Sequence, residues 1–133
     1  MNHTIRVPIN TDKDIVAARQ KGRALALSLG FSEIDSTLVA TAISELARNI
    51  VTYAKRGEIR IQADGNSKGP CILVIAKDKG AGISNIKLAL QDGFSTSGSL
   101  GLGLPGVKRL VDEFEIVSHI GKGTVVKFKK WKT

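Results

Sequence analysis

Residues 93–107 read GFSTSGSLGLGLPGV. Gly93, Gly98, Gly101, Gly103 and Gly106 punctuate them, and Ser95, Thr96 and Ser97 precede a G-x-x-G-x-G core. Glycine lacks a Cβ, so it adopts positive φ and lets another group approach the backbone. Directly afterwards Leu104, Val107, Leu110 and Val111 recur at helical spacing. The pattern predicts a glycine loop feeding a helix N-terminus, where unpaired N–H groups suit an anion. It reads either as a phosphate cradle closed by a mobile lid or as an ordinary turn before a helix. A glycine motif standing alone does not choose between them.

Working outward, the sequence after this loop predicts a helix over about 105–113, a strand at 114–119, a hairpin turn at 120–123 and a last strand at 124–131. Before the loop lie a short helix at 85–90, a glycine turn at 78–83 and an apolar run at 71–76 that suits a central strand. Residues 64–70 form a turn rich in Gly, Asn and Ser, and 58–63 a short alternating strand. Asp35 and Ser36 introduce a long helix over about 35–55, closed by Gly57. An earlier helix runs from Thr11 or Asp12 to about Leu29, with Gly30 where a terminating glycine belongs. Ile5, Val7 and Ile9 alternate in a first strand at 3–9. This order predicts an α+β fold with helices on one face of a mixed sheet. A Rossmann unit is excluded, because the glycine loop does not join the first strand to the first helix. A Walker loop is excluded by the lack of Gly-Lys-Ser/Thr.

At 133 residues the chain is expected to form a single domain over 1–133. Its 42% hydrophobic and 24% charged content is that of a globular protein. Cys71 is the one cysteine; it excludes an internal disulfide and sits in an apolar run, as a buried residue would. Residues 1–10 are too polar for a signal peptide, and no apolar run reaches the roughly 18 residues of a membrane span. A soluble, reduced, cytoplasmic protein is expected. The formal charge is +8, but the basic residues are spread out. Their densest group is Lys127, Lys129, Lys130 and Lys132 beside Trp131, which reads as a solvated last strand. No nucleic acid or membrane partner is expected, whereas a basic balance suits a holder of polyphosphate.

Three further groups of residues carry chemistry. Val39, Ala42, Ile43, Leu46, Ile50 and Tyr53 form the apolar stripe of the second helix, and Glu45 and Asn49 stack four apart beside it. A carboxylate there can deprotonate a nucleophile, and an amide oxygen can hold a hard cation; a solvated pair is the plain alternative. Asp78-x-Gly80-x-Gly82 follows the buried strand. Its carboxylate can accept from an exocyclic amine such as that of adenine, or can close an Asx turn. Gly121-x-Gly123-Thr124 alone is no more than a hairpin.

Taken in order, Glu45-x-x-x-Asn49, Asp78-x-Gly80-x-Gly82, Gly98-x-x-Gly101-x-Gly103 and Gly121-x-Gly123-Thr124 resemble the four boxes of the GHKL ATPase superfamily. That superfamily includes gyrase B, Hsp90, histidine kinases and MutL. Residues 17–31, 41–50 and 92–114 further resemble the small serine/threonine kinases that switch bacterial sigma factors from within a stressosome. The resemblance implies the Bergerat two-layer α/β sandwich, its sheet mostly antiparallel, with ATP held between helices and lid. It implies Glu45 as catalytic base, Asn49 on a Mg²⁺ that bridges the ATP phosphates, and Asp78 on the adenine amine. It implies Gly80 and Gly82 shaping that pocket, Gly98, Gly101 and Gly103 along the phosphates, and Thr124 supporting the adenine side. Ala81 departs from the larger residue or proline of many members, which leaves the shape of the base pocket open.

The implied activity is phosphorylation of small STAS-domain proteins of a stressosome, with partner switching of a sigma factor and a phosphatase activated on release. The alternative is a nucleotide-dependent binding module with little catalysis. A histidine kinase fragment is disfavoured, since His3 and His119 are the only histidines. Along the first helix, Val16, Gln20, Arg23 and Leu27 fall on a stripe opposite the core face of Ile15, Ala18, Gly22, Leu25 and Leu29. With Lys13 and Arg19 beside them, Val16, Arg19, Arg23 and Leu27 are expected to dock an acidic protein partner. Scattered surface apolar residues are the plain alternative.

Overall fold

Three amphipathic helices cover one face of a five-stranded sheet. The computed structural model describes residues 4–80 and 103–133. The strands are β1 (Thr4–Ile9), β2 (Gly57–Asn66), β3 (Gly69–Asp78), β4 (Glu113–His119) and β5 (Gly123–Trp131), and the helices α1 (Asp12–Ser28), α2 (Glu33–Asn49) and α3 (Leu104–Leu110). The sheet order is β1-β2-β3-β5-β4, and all its described pairings are antiparallel. The expectation of an α+β fold with a mostly antiparallel sheet holds, and the described pairings are antiparallel. The expected short helix at 85–90, the lid, Gly82, Gly98 and Gly101 lie outside the described residues.

Alternation sets the two faces. Val7, Ile59, Ala76 and Val126 share one cross-strand row and are buried with Ile43 and Leu46 of α2 and Val107 of α3. The neighbouring row Arg6, Arg60, Ile75, Lys127 and Glu115 lies on the opposite face. Each large aliphatic side chain taken from water contributes about 1.5–3 kcal/mol, so the helix-covered face supplies most of the driving force. On α1, Ile15, Ala18, Gly22 and Ala26 are buried, while Leu25 and Leu29 are only half-buried. Cys71 is fully buried, and burial pushes its thiol pKa up.

Helix ends follow local chemistry. Thr11 is the N-cap of α1, and the Asp14 carboxylate reaches back to accept the Asn10 and Thr11 N–H groups at 2.8 and 3.0 Å. Those two backbone donors hold the Asp14 carboxyl below its ordinary pKa. Gly30 follows the helix at φ 89°, as expected of a terminating glycine. α2 starts earlier than Asp35, because the Ser32 hydroxyl accepts the Asp35 N–H at 3.0 Å and caps the helix. β2 and β3 run longer than their apolar cores, since Ser67 and Lys68 alone close the hairpin between Asn66 and Gly69. α3 ends at Leu110, short of Glu113, because Val111 is extended and Glu113 already pairs with Lys129 in β4–β5. Among the C-terminal lysines, Lys130 is buried rather than solvated: it falls on the helix-covered face, opposite Ile72.

Candidate functional site

Register brings Gly57, Asp78, Thr124 and Ser118 into a single row across β2, β3, β5 and β4. The row two residues along is Ile59, Ala76, Val126 and Ile116, which contributes to the core, so the Asp78 row also faces the helices. A carboxylate at the last position of a buried strand is costly unless it is engaged. Asp78 Oδ1 accepts the Gly80 N–H at 2.8 Å, an Asx turn, and Oδ2 has no partner among the described residues. The turn holds the carboxylate through one oxygen and leaves the other uncommitted among the described residues. The Ser118 hydroxyl donates to the Gly123 carbonyl oxygen at 3.2 Å and lies 2.8 Å from Thr124 Oγ1. Either hydroxyl can be the donor between them, so Thr124 Oγ1 is tied to Ser118 within the row.

Gly123 adopts φ 111°, and a Cβ there would overlap the Asp78 carbonyl oxygen. The β4–β5 hairpin therefore closes onto β3 only with glycine at this position.

α2 supplies the other wall. Glu45 and Asn49 stand one helical turn apart, about 6 Å along the axis. The Glu45 side chain is only 13% exposed, and its Oε1 accepts Arg48 Nη1 at 2.8 Å. The Asn49 side chain is half-buried and makes no hydrogen bond among the described residues. Immediately after Asn49 the helix widens into a π-helical turn, Ile50–Ala54. β-branched Ile50, Val51 and Thr52 crowd an α-helix, which favours such a departure, and π turns recur at functional sites. The wider turn takes Tyr53 off the apolar stripe, so that Tyr53 is 51% exposed, against the expectation that it joins the core. The same turn seats Ala54 against Gly80, where an added Cβ would stand 2.8 Å from Ala54 Cβ, and Ile50 against Gly57. The turn thus ties the Glu45–Asn49 helix to the strand end that carries Asp78.

Gly103 precedes α3 and has open space where a side chain would begin. Its carbonyl oxygen accepts the Gly106 and Val107 N–H groups at 3.1 and 3.2 Å. On α1, Val16 and Leu27 are 40% and 37% exposed, and Arg19 and Arg23 are exposed beside them.

The arrangement unites Asp78, Gly80 and Thr124 directly and joins them to Glu45 and Asn49 through the π turn. Sequence reasoning missed Ser118, the π turn and the second duty of Gly57, read only as a helix terminator. The run of three β-branched residues at 50–52, followed by Tyr53, was the available signal for the π turn. Ser118 carried none until the register paired it with Thr124.

The donor set suits a purine nucleotide and a hard cation. A fixed carboxylate oxygen and a hydroxyl sit in one row for a base edge, and an uncommitted amide oxygen lies one turn from a carboxylate. No group of three or more His, Cys, Asp or Glu residues is assembled among the described residues. A cation such as Mg²⁺ would therefore take most of its ligands from water and phosphate, as that ion commonly does.

Residues 34–133 match the family described as histidine kinase-, DNA gyrase B-, and HSP90-like ATPase. The chain is 53% identical, over 98% of its length and 98% of the relative's, to the serine/threonine-protein kinase RsbT of Bacillus subtilis (strain 168). It is 32% identical to an anti-sigma F factor of Clostridium kluyveri, covering 74% of this chain and 76% of that one. A second anti-sigma F factor, from Clostridium beijerinckii, is 30% identical over 80% and 81% of the two chains.

Proposed function

The chain belongs to the histidine kinase-, DNA gyrase B- and HSP90-like ATPase family, and we propose that it is an ATP- and Mg²⁺-dependent serine/threonine protein kinase acting on small STAS-domain proteins of a stressosome. The observation that carries this reading is the joining of the Glu45–Asn49 helix to the Asp78 row by the π turn. Asp78 Oδ2 accepts the adenine amine, with Gly80 and Gly82 against the base and Thr124 supporting it. Asn49 would hold the metal through its amide oxygen, and Gly98, Gly101 and Gly103 would lie along the phosphates. Bound Mg²⁺ neutralises phosphate charge, which is most of what phosphoryl transfer asks of a site besides positioning. Glu45 accepts the proton of the acceptor hydroxyl as its oxygen bonds to the γ-phosphorus and the bond to the β-phosphate oxygen breaks.

The exposed α1 face of Val16, Arg19, Arg23 and Leu27 docks an acidic partner. Release from that partner frees the kinase to switch a further protein, a phosphatase, and so a sigma factor. No helix among the described residues is long and apolar enough to cross a membrane.

A second reading, a nucleotide-dependent binding module with little catalysis, is favoured by the Glu45–Arg48 ion pair, which occupies the candidate base. Transfer of radiolabel from ATP to purified STAS-domain proteins tests both. The kinase reading expects labelled STAS protein with the wild type and none with Glu45→Ala. Nucleotide-dependent binding without label supports the module.

A further inference from the structure

Three turns meet at the end of the sheet that carries Asp78. Gly80 lies against Ala54, and Gly123 against Lys79, whose Cα would stand 2.7 Å from an added Cβ. Arg56 precedes Gly57, which pairs with Asp78. These close approaches gather Lys55, Arg56, Lys79 and Lys122 on adjacent turns, all of them exposed. None of the four forms an ion pair among the described residues. Two of the most exposed large apolar side chains flank them, Tyr53 at 51% and Ile120 at 72%.

Lys55 carries a further mark. It has φ 71°, the only positive φ among described residues other than glycine. Glycine would adopt that conformation with less strain, so the lysine side chain is retained against local backbone preference.

From this convergence we infer that the Asp78 end of the sheet is a docking surface for an acidic protein segment bearing an apolar residue. Unpaired cations around exposed Tyr and Ile match the composition of protein interfaces, in which aromatic and arginine side chains anchor the contact. Complementary charge at such a rim accelerates encounter and makes it salt-sensitive. A second copy of this rim is repelled by like charge, and the apolar pair gives nucleic acid phosphates nothing to bind. The surface is separate from the α1 face and does not depend on phosphotransfer.

The test uses two labelled peptides, polyglutamate of about 20 residues and the same peptide with two central leucines, titrated with the full chain at roughly 50 and 300 mM salt. Lys79→Glu with Lys122→Glu should weaken both peptides about tenfold at low salt. Lys21→Glu with Lys68→Glu, an equal charge change elsewhere, should weaken them less than about twofold. The leucines should add affinity that Ile120→Ser removes. Lys55→Gly should weaken binding without lowering the melting temperature, which separates loss of the cation from loss of the fold. Equal losses in the two double variants overturn the surface. So does tighter, rim-dependent binding of a duplex oligonucleotide. Rim-dependent self-association assigns the face to a second copy, and a fall in ATP affinity in the rim variant assigns it to the nucleotide; each overturns the inference.

Discussion

Asp78 and Thr124 stand opposite each other on β3 and β5, and Gly123 beside them leaves no room for a side chain over the Asp78 carbonyl. Gly123→Ala therefore meets both a left-handed φ and an overlap. It should destabilise the fold by about 2 kcal/mol or more, and lower ATP affinity in the molecules that remain folded. Calorimetric unfolding and ATP titration check the two effects. Unchanged ATP affinity would separate Thr124 from the nucleotide.

Asp78→Asn keeps the size of the side chain and an oxygen for the Gly80 N–H. It removes the charge that would face the adenine amine. The loss is about 1.5–3 kcal/mol, or roughly tenfold to a hundredfold in ATP affinity, with little change in melting temperature. Equal ATP affinity in calorimetry would refute the assignment.

Asn49→Ala removes an amide that makes no hydrogen bond among the described residues, so the fold should survive, as circular dichroism would report. Mg²⁺-dependent ATP binding or transfer should disappear. Normal kinase activity in this variant would remove Asn49 from the metal site.

The Asp14 carboxylate stabilises α1 only when ionised, and its pKa in the fold lies below the ordinary 3.8. Its contribution is present above the ordinary value and is lost as pH falls through the lowered one. Asp14→Ala should lower the melting temperature at neutral pH, and the difference from wild type should narrow as the pH is taken well below the ordinary 3.8. A difference that stays constant into that acid range would mean the charge does not act.

Leu27→Asp and Arg23→Glu lie on the exposed face of α1, away from the Asp78 row. Each should cut binding of the proposed STAS-domain partner and leave ATP affinity unchanged, with the Arg23 change acting mainly on the association rate and its salt dependence. Normal partner binding in both places the docking face elsewhere.

The alternation in 3–9 and the apolar run in 71–76 were legible because buried strands announce their faces in sequence. The motif residues Glu45, Asn49 and Asp78 were legible as types at fixed spacing. Element ends were less so: Ser32 rather than Asp35 caps α2, because its hydroxyl accepts the Asp35 N–H. Tyr53 left the core because a π turn changes the angular step, which a constant helical period does not anticipate. The cations of the Asp78 end are invisible as a group in sequence, because they come from turns that only strand pairing brings together.

Among the described residues β4 pairs only with β5, and β5 reaches the Asp78 row through a hairpin that docks on β3 more than forty residues after Asp78. During synthesis β1, β2, β3, α1 and α2 can assemble from near neighbours, while the nucleotide row waits for its final member. If the hairpin docks one residue out of register, Thr124 moves to the uncovered face and Asp78 loses its counterpart. A nucleotide bound across the row would therefore select the correctly registered chain, acting as a proofreader of folding before it serves as a substrate.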